Sequence, residues 1–190
     1  TKHLSQYPVI LYSFVKKGSW DESIRLCRFV QQPELWAALA GLAIAGRHLE
    51  TAEIALAAIE ELDKLQYIMW IKKIPSVEGR NAELALYRGA HDEAENILLQ
   101  CRPPLLYRAI KMNIRLYRWE RALDIAVENK KHIDTVLHYR QLYLTQYGKK
   151  EDNEKFIKMN DTVEVNIDDI KAARAKDKED EKAHASRSMS

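Results

Sequence analysis

Along most of this chain apolar side chains return at intervals of three and four, as in Ile24, Cys27 and Val30 or Ile97, Leu98 and Cys101. That spacing places them on one stripe of a helix. Period-two alternation is nowhere sustained, and no Asn-Gly or Asp-Gly hairpin turn occurs. The pattern predicts an all-α chain. Gly18, Gly46 and Gly89 fall at breaks between the two helices of a pair. The prolines, Pro8, Pro33, Pro75, Pro103 and Pro104, are expected at helix starts. There a missing N–H removes no helical hydrogen bond, and the fixed φ suits the first turn.

The breaks share a frame. The stretches "GSWDESIRL" from Gly18, "RHLETAEIA" from Arg47, "GAHDEAENI" from Gly89 and "YRWERALDI" from Tyr117 align without gaps. A bulky or ring residue takes the third place: Trp20, Leu49, His91, Trp119. An acid takes the fourth (Asp21, Glu50, Asp92, Glu120) and a small residue the sixth (Ser23, Ala52, Ala94, Ala122). An acid in the first turn complements the positive helix end, and the small residue lets the preceding helix approach closely. The third residue is expected to close the top of the pair, in the manner of a hydrophobic staple. Trp119 is thus read as a plug in a turn.

The small residues stand 29, 42 and 28 positions apart, from 23 to 52, 94 and 122. The shorter intervals fit one two-helix unit. The longer one fits a unit plus a single extra helix, supplied by "ELDKLQYIMWIKKIPS". One unit also satisfies much of the tetratricopeptide template, through Trp36, Leu39, Ala40, Ala52 and Leu56. The expected fold is a tetratricopeptide-like α-solenoid of about ten short helices over residues 6–147. Residues 148–190 form a separate polar segment: a short helix around "KKEDNEK" and a charged tail. Ile167, Ile170 and Ala173 offer that tail a narrow apolar seam on a solvated helix, and its Ser/Arg/Met end is expected to be disordered.

Composition narrows the function. The chain has 190 residues, 46% hydrophobic and 31% charged, enough for one substantial domain or an elongated array. A net charge of +2 supplies no clustered basic face for nucleic acid. The longest apolar run, Leu35 to Gly46, is shorter than the roughly 20 residues that cross a bilayer, so no membrane insertion is expected. Cys27 and Cys101 read as buried, reduced thiols of an intracellular protein. No secretory leader is visible, and the chain lacks an initiator Met, which leaves open whether it is a fragment of something longer.

Candidate chemistry is sparse. His132 and His138 are six residues apart in "HIDTVLHY" and point to different sides of a helix, a poor metal pair. Asp134 and His138 share a face as an ion pair would. His91, Asp92 and Glu93 are accounted for by helix capping, and Asp168 and Asp169 by a solvated face. No Gly-rich phosphate loop, Cys-x-x-Cys or Gly-x-Ser-x-Gly occurs. The reading is non-enzymatic, with no catalytic, cofactor-binding or metal residue.

Binding surfaces remain. "LQYIMWIKKI" is apolar on more than one face, so Tyr67 and Trp70 are either packed between neighbouring pairs or part of a partner patch. Tyr139, Tyr143 and Tyr147 form an aromatic stripe on a late helix, beside an apolar stripe of Ile133, Val136, Leu137 and Leu144. The last helix of a solenoid has one neighbour. Its tyrosines therefore contact either the polar tail or another chain.

"DKLQYIMWIKKIPS", "HDEAENILLQ" and "IRLYRWERALDIAVENKKHIDTVLHYRQLYL", through to "QYGKKEDNEKF", resemble the C-terminal helical region of one family. It is the family of the eighty-kilodalton, WD-repeat-containing subunit of intraflagellar transport complex B. The resemblance runs from about Ile59 to Phe156. It implies a scaffold in the peripheral part of that complex, in cilium or flagellum, basal body and cytoplasm, needed for cilium assembly. Implied partners are a larger WD-repeat and solenoid subunit, a calponin-homology subunit and coiled-coil subunits, with kinesin-2 and dynein 2 reached indirectly, and self-association. The family's WD-repeat propellers have no counterpart in this chain, so contacts made through them do not carry over. The rival reading is a helical-repeat coat or vesicle-trafficking scaffold outside cilia.

Overall fold

A computed structural model describes residues 5–187 of the chain. It is all-helical among the described residues and divides into two compact units, Thr1–Ile74 and Pro75–Ser190. In the first, α1 (Tyr7–Lys16) pairs with α2 (Trp20–Val30), α3 (Pro33–Ala45) pairs with α4 (Leu49–Ala58), and α5 (Leu62–Lys72) packs on α4. In the second, α6 (Val77–Tyr87) pairs with α7 (His91–Gln100) and α8 (Leu106–Arg115) with α9 (Trp119–Asn129). Then follow α10 (Ile133–Gln146), α11 (Glu154–Thr162) and α12 (Ile167–Arg187). Ten helices therefore end by residue 146, and α5 is the extra helix inferred from the long interval.

The repeated frame marks the start of each pair's second helix: Trp20, Leu49, His91 and Trp119 are the first residues of α2, α4, α7 and α9. The sixth-place residues Ser23, Ala52, Ala94 and Ala122 have no exposed surface at all. A larger side chain there would force the paired helices apart, typically at about 1–3 kcal/mol. The fourth-place acids are exposed at the positive helix ends, as expected.

The frame also carries a backbone conformation. Its first residue, Gly18, Arg47, Gly89 or Tyr117, has positive φ, at 72°, 58°, 78° and 56°. In each loop that residue's N–H bonds to the carbonyl three back, and the next N–H bonds to the carbonyl five back. Gly18 with Ser19, Arg47 with His48, Gly89 with Ala90 and Tyr117 with Arg118 repeat this pair of bonds at 2.9–3.1 Å. This is the Schellman closure of a helix C-terminus. It satisfies orphan carbonyls and re-aims the chain, so the next helix begins two residues after the left-handed one. Among the described helices only α6, α11 and α12 have side-chain N-caps, from Ser76, Asn153 and Asn166, and none of these is the second helix of a pair, so the hairpins are closed by backbone geometry.

Packing corrects the sequence reading in several places. Trp119 is buried and plugs its hairpin, but His91 at the equivalent place is exposed and plugs nothing. Trp20 lies between these extremes, stacked on the His48 ring at 4.9 Å. Gly46 makes room for it: a Cβ there would come within 3.0 Å of the Trp20 ring. Pro8 and Pro33 lie in first helical turns, whereas Pro75, Pro103 and Pro104 lie in the links before α6 and α8. Cys27 is buried, but Cys101 is only partly so; both are free thiols.

The segment after Gly148 is more structured than its polarity suggests. Phe156 on α11 is completely buried in a core with Ile110, Trp119, Leu123 and Val136, with Met159 and Val163 packed against it. In α12 Ile167 is exposed, Ile170 is buried, and Asp177 and Glu181 turn inward below it. The charged tail is therefore not solvated all round. Residues 188–190, where disorder was expected, lie outside the described residues.

Candidate protein-interaction site

The aromatic stripe of α10 belongs largely to its own unit. Tyr143 packs against Trp119 at 5.3 Å, Tyr117 at 5.5 Å and Tyr147 at 5.0 Å between ring centroids. The tilts of 46–54° keep ring edges toward ring faces, the geometry aromatic quadrupoles favour. Tyr139 lies beneath the Lys111 ammonium, 3.5 Å from its ring centroid, with His138 edge-on beside it. Tyr139 and Tyr143 are both partly buried, while Tyr147 is about half exposed. The stripe thus begins in the core and ends at the surface, where Tyr147 and the largely exposed Tyr117 flank Tyr143.

Arg140 ties this cluster to α11. Its guanidinium lies 5.2–5.7 Å from the ring centroids of Trp119, Tyr143 and Phe156. It also makes a bidentate pair with Glu151 at 2.9 and 3.0 Å. Burial opposes ionisation of Glu151, but the Arg140 hydrogen bonds outweigh it and hold the carboxyl below its ordinary range. The Glu151 hydrogen bond correspondingly raises the Arg140 pKa. A planar cation can stack on rings and fork onto a carboxylate at once, which a lysine cannot. Sequence reading missed Arg140, since one arginine in a polar-looking stretch carries no signature.

A second network was equally invisible. Asn113 on α8 is fully buried, and its amide donates to Glu95 of α7 and to the Ala109 carbonyl, each at 2.9 Å. Arg121 of α9 donates to the other Glu95 oxygen at 2.8 Å, and Arg115 reaches Glu83 at 2.9 Å. Burial raises the cost of the Glu95 charge, yet Arg121 and Asn113 more than offset it, lowering the carboxyl pKa. Three helices are held in register by one carboxylate.

The second candidate surface lies on α5. Ile68 and Ile71 are fully buried, Tyr67 is partly so, and Trp70 and Met69 are about half exposed. Tyr67 and Trp70 touch at 5.6 Å between centroids. Tyr67 and Trp70 lie in the first unit, the tyrosine stripe in the second.

The histidine candidates separate. His132 pairs with Asp177 of α12 at 2.6 Å, Asp134 accepts from the Thr135 amide at 2.9 Å, and His138 faces Tyr139. Asp168 and Asp169 are exposed. Among the described residues no group of three or more His, Cys, Asp or Glu side chains is placed to hold a metal ion. No described helix is long and apolar enough to cross a membrane.

Paired helices closed by a common turn, with small residues at every pair contact, define a helical repeat of tetratricopeptide type. The chain belongs to the family described as the IFT80/172/WDR35/WDR19 TPR domain, which it matches over residues 35–183. That span starts in α3 and reaches into α12. Among curated relatives it is similar to the intraflagellar transport protein 80 homologs of Mus musculus and Rattus norvegicus. Each is 46% identical over 169 residues, which is 89% of this chain. The chain spans 22% of the length of either relative.

Proposed function

We propose that this chain is a non-enzymatic scaffold segment of intraflagellar transport complex B. In this reading it makes protein–protein contacts in the peripheral part of ciliary transport trains and is needed for cilium assembly. The observation that carries it is the family match over residues 35–183, together with hairpins closed by the same backbone turn in each unit. Helical repeats of this type function by presenting a surface. Residues 6–147 supply the repeat region, and 148–190 the polar segment that follows it. Other complex B subunits are its partners: the larger WD-repeat and solenoid subunit, the calponin-homology subunit and the coiled-coil subunits. Kinesin-2 and dynein 2 are reached through them, and the site of action is the cilium, basal body and cytoplasm. Deletion of residues 35–183 from the full-length protein tests the reading. Short or absent cilia and loss of complex B subunits on co-purification are expected; normal cilia with an intact complex would overturn it.

The contact residues in this reading are Tyr67 and Trp70 on α5, and Tyr139, Tyr143 and Tyr147 on α10. The half-exposed members, Trp70 and Tyr147, are where a partner has most apolar surface to gain. Self-association through the tyrosine stripe is part of the same proposal. Tyr147→Ser removes the exposed end of the stripe without opening the core, so light scattering on this variant and the parent chain provides the test. A parent chain that stays strictly monomeric at high concentration rules out self-association.

A further inference from the structure

The inner face of α12 reads Ile170, Ala173, Asp177, Glu181 and Ala185, a helical stripe at intervals of three and four. Its lower half is acidic, and each acid has a built seat. Asp177 accepts from His132 Nε2 at 2.6 Å, with the His132 side chain 3% exposed at the N-cap of α10. Glu181, 5% exposed, accepts from Arg108 Nε through both oxygens at 2.9 Å, at the first turn of α8. Glu181 also accepts from the Ser76 hydroxyl, the N-cap of α6. The seats therefore line up across the N-terminal ends of α6, α8 and α10, where helix dipoles add to the attraction for anions. The Tyr107 ring walls the row, edge-on to His132 at 5.3 Å.

The hold on α12 is polar. Ile170 is its one large buried apolar side chain, whereas α11 is anchored by a fully buried Phe156. Residues 163–166 between the two helices are not helical, so α12 is joined to α11 by a short non-helical link rather than by a continuous helix. The tether keeps it at high effective concentration over the seat.

We propose that this row is a receptor for a helix that presents carboxylates at i and i+4, and that α12 is its resident, exchangeable occupant. The competing ligand is a partner protein's helix of the same chemistry. Such a helix displaces α12 by offering the same two carboxylates plus more apolar contact than Ile170 provides. Nothing in this depends on which complex the chain joins.

The test uses the whole chain. In D177N/E181Q, amide exchange across α12 should accelerate by about tenfold or more while α8 and α10 keep their protection. A fluorescent peptide of residues 161–187 should then bind this opened chain at least about tenfold more tightly than the parent chain, whose seat is filled. The same peptide carrying D177N/E181Q should not bind. Charge reversal gives an independent arm: R108E should open α12, and R108E combined with E181R should close it again. Unchanged α12 exchange in D177N/E181Q overturns the proposal. So does loss of protection in α8 and α10 as well, which would make α12 a structural cap, or failure of the peptide to bind the opened chain.

Discussion

Gly89 shows how much a single position can rest on backbone freedom. Its φ is +78°, and a Cβ would meet nothing within 4 Å. A Gly89→Ala change should therefore cost about 1 kcal/mol from left-handed strain alone, partly offset by a stiffer unfolded chain. Chemical denaturation would read it; an unchanged midpoint would mean the loop relaxes freely. Trp119 tests the opposite case. Its ring is buried among Ile110, Leu123 and Phe156, so Trp119→Ala should cost about 3–5 kcal/mol. Its indole N–H has no protein partner, so Trp119→Phe gives up no hydrogen bond and should cost clearly less. Equal losses for the two variants would defeat the plug account. At this scale the sequence was legible wherever sterics were strict, as at Ser23, Ala52, Ala94 and Ala122. It was not legible at Arg47 and Tyr117, which take a left-handed conformation that glycine usually marks.

At the scale of helices, what holds α7, α8 and α9 together beyond apolar contact is the Glu95, Asn113 and Arg121 network. The Glu95 pKa lies below its ordinary value near 4.5 in the folded chain. Its contribution to stability is therefore complete above that ordinary value and lost as pH falls through the lower, folded one. Urea unfolding of Glu95→Gln and parent chain should show a gap at pH 7 that narrows on acidification into this range. A gap that widens in acid would contradict the assigned sign. Helix count and order were readable because three- and four-residue spacing survives any surface decoration. The ties between helices were not, because long charged side chains reach partners 18 to 32 residues away with no local pattern. α12 escaped for the same reason: Asp177 and Glu181 look like the other acids of a solvated tail until a histidine and an arginine meet them.

On the scale of the whole chain, each unit carries one thiol, and the two differ in reactivity. Burial pushes the Cys27 pKa up to about 11, so near pH 8 it is a protonated, inaccessible thiol in the first unit. Cys101 in the second unit is also raised by burial, but it is partly exposed. A thiol reagent should therefore label Cys101 in the native protein and Cys27 only after unfolding of the first unit. Labelling of Cys27 at the rate of Cys101 in native buffer would refute its burial. The candidate binding surfaces were only half legible at this scale. Their aromatic residues were visible in the sequence, but Tyr139 lies beneath Lys111 and Tyr143 beneath Arg140, neither of which pattern singled out.

The Schellman loops of the four framed turns, whose pair of bonds recurs at Glu60, Lys130 and Gly148, have a consequence for how such chains change over time. Their closing bonds use only backbone N–H and carbonyl groups, so no side chain at those loops is obligatory, and glycine, arginine and tyrosine all serve at the left-handed position. Descendants can drift almost freely in those residues while each turn still opens at the same place. What contact holds is the small residue four positions after that turn's second member, together with Trp119 where it plugs its hairpin. A repeat of this kind sheds its consensus long before it loses its geometry. That is why one unit here still matches the tetratricopeptide template through Trp36, Leu39 and Ala40 while its structural equivalents scarcely do.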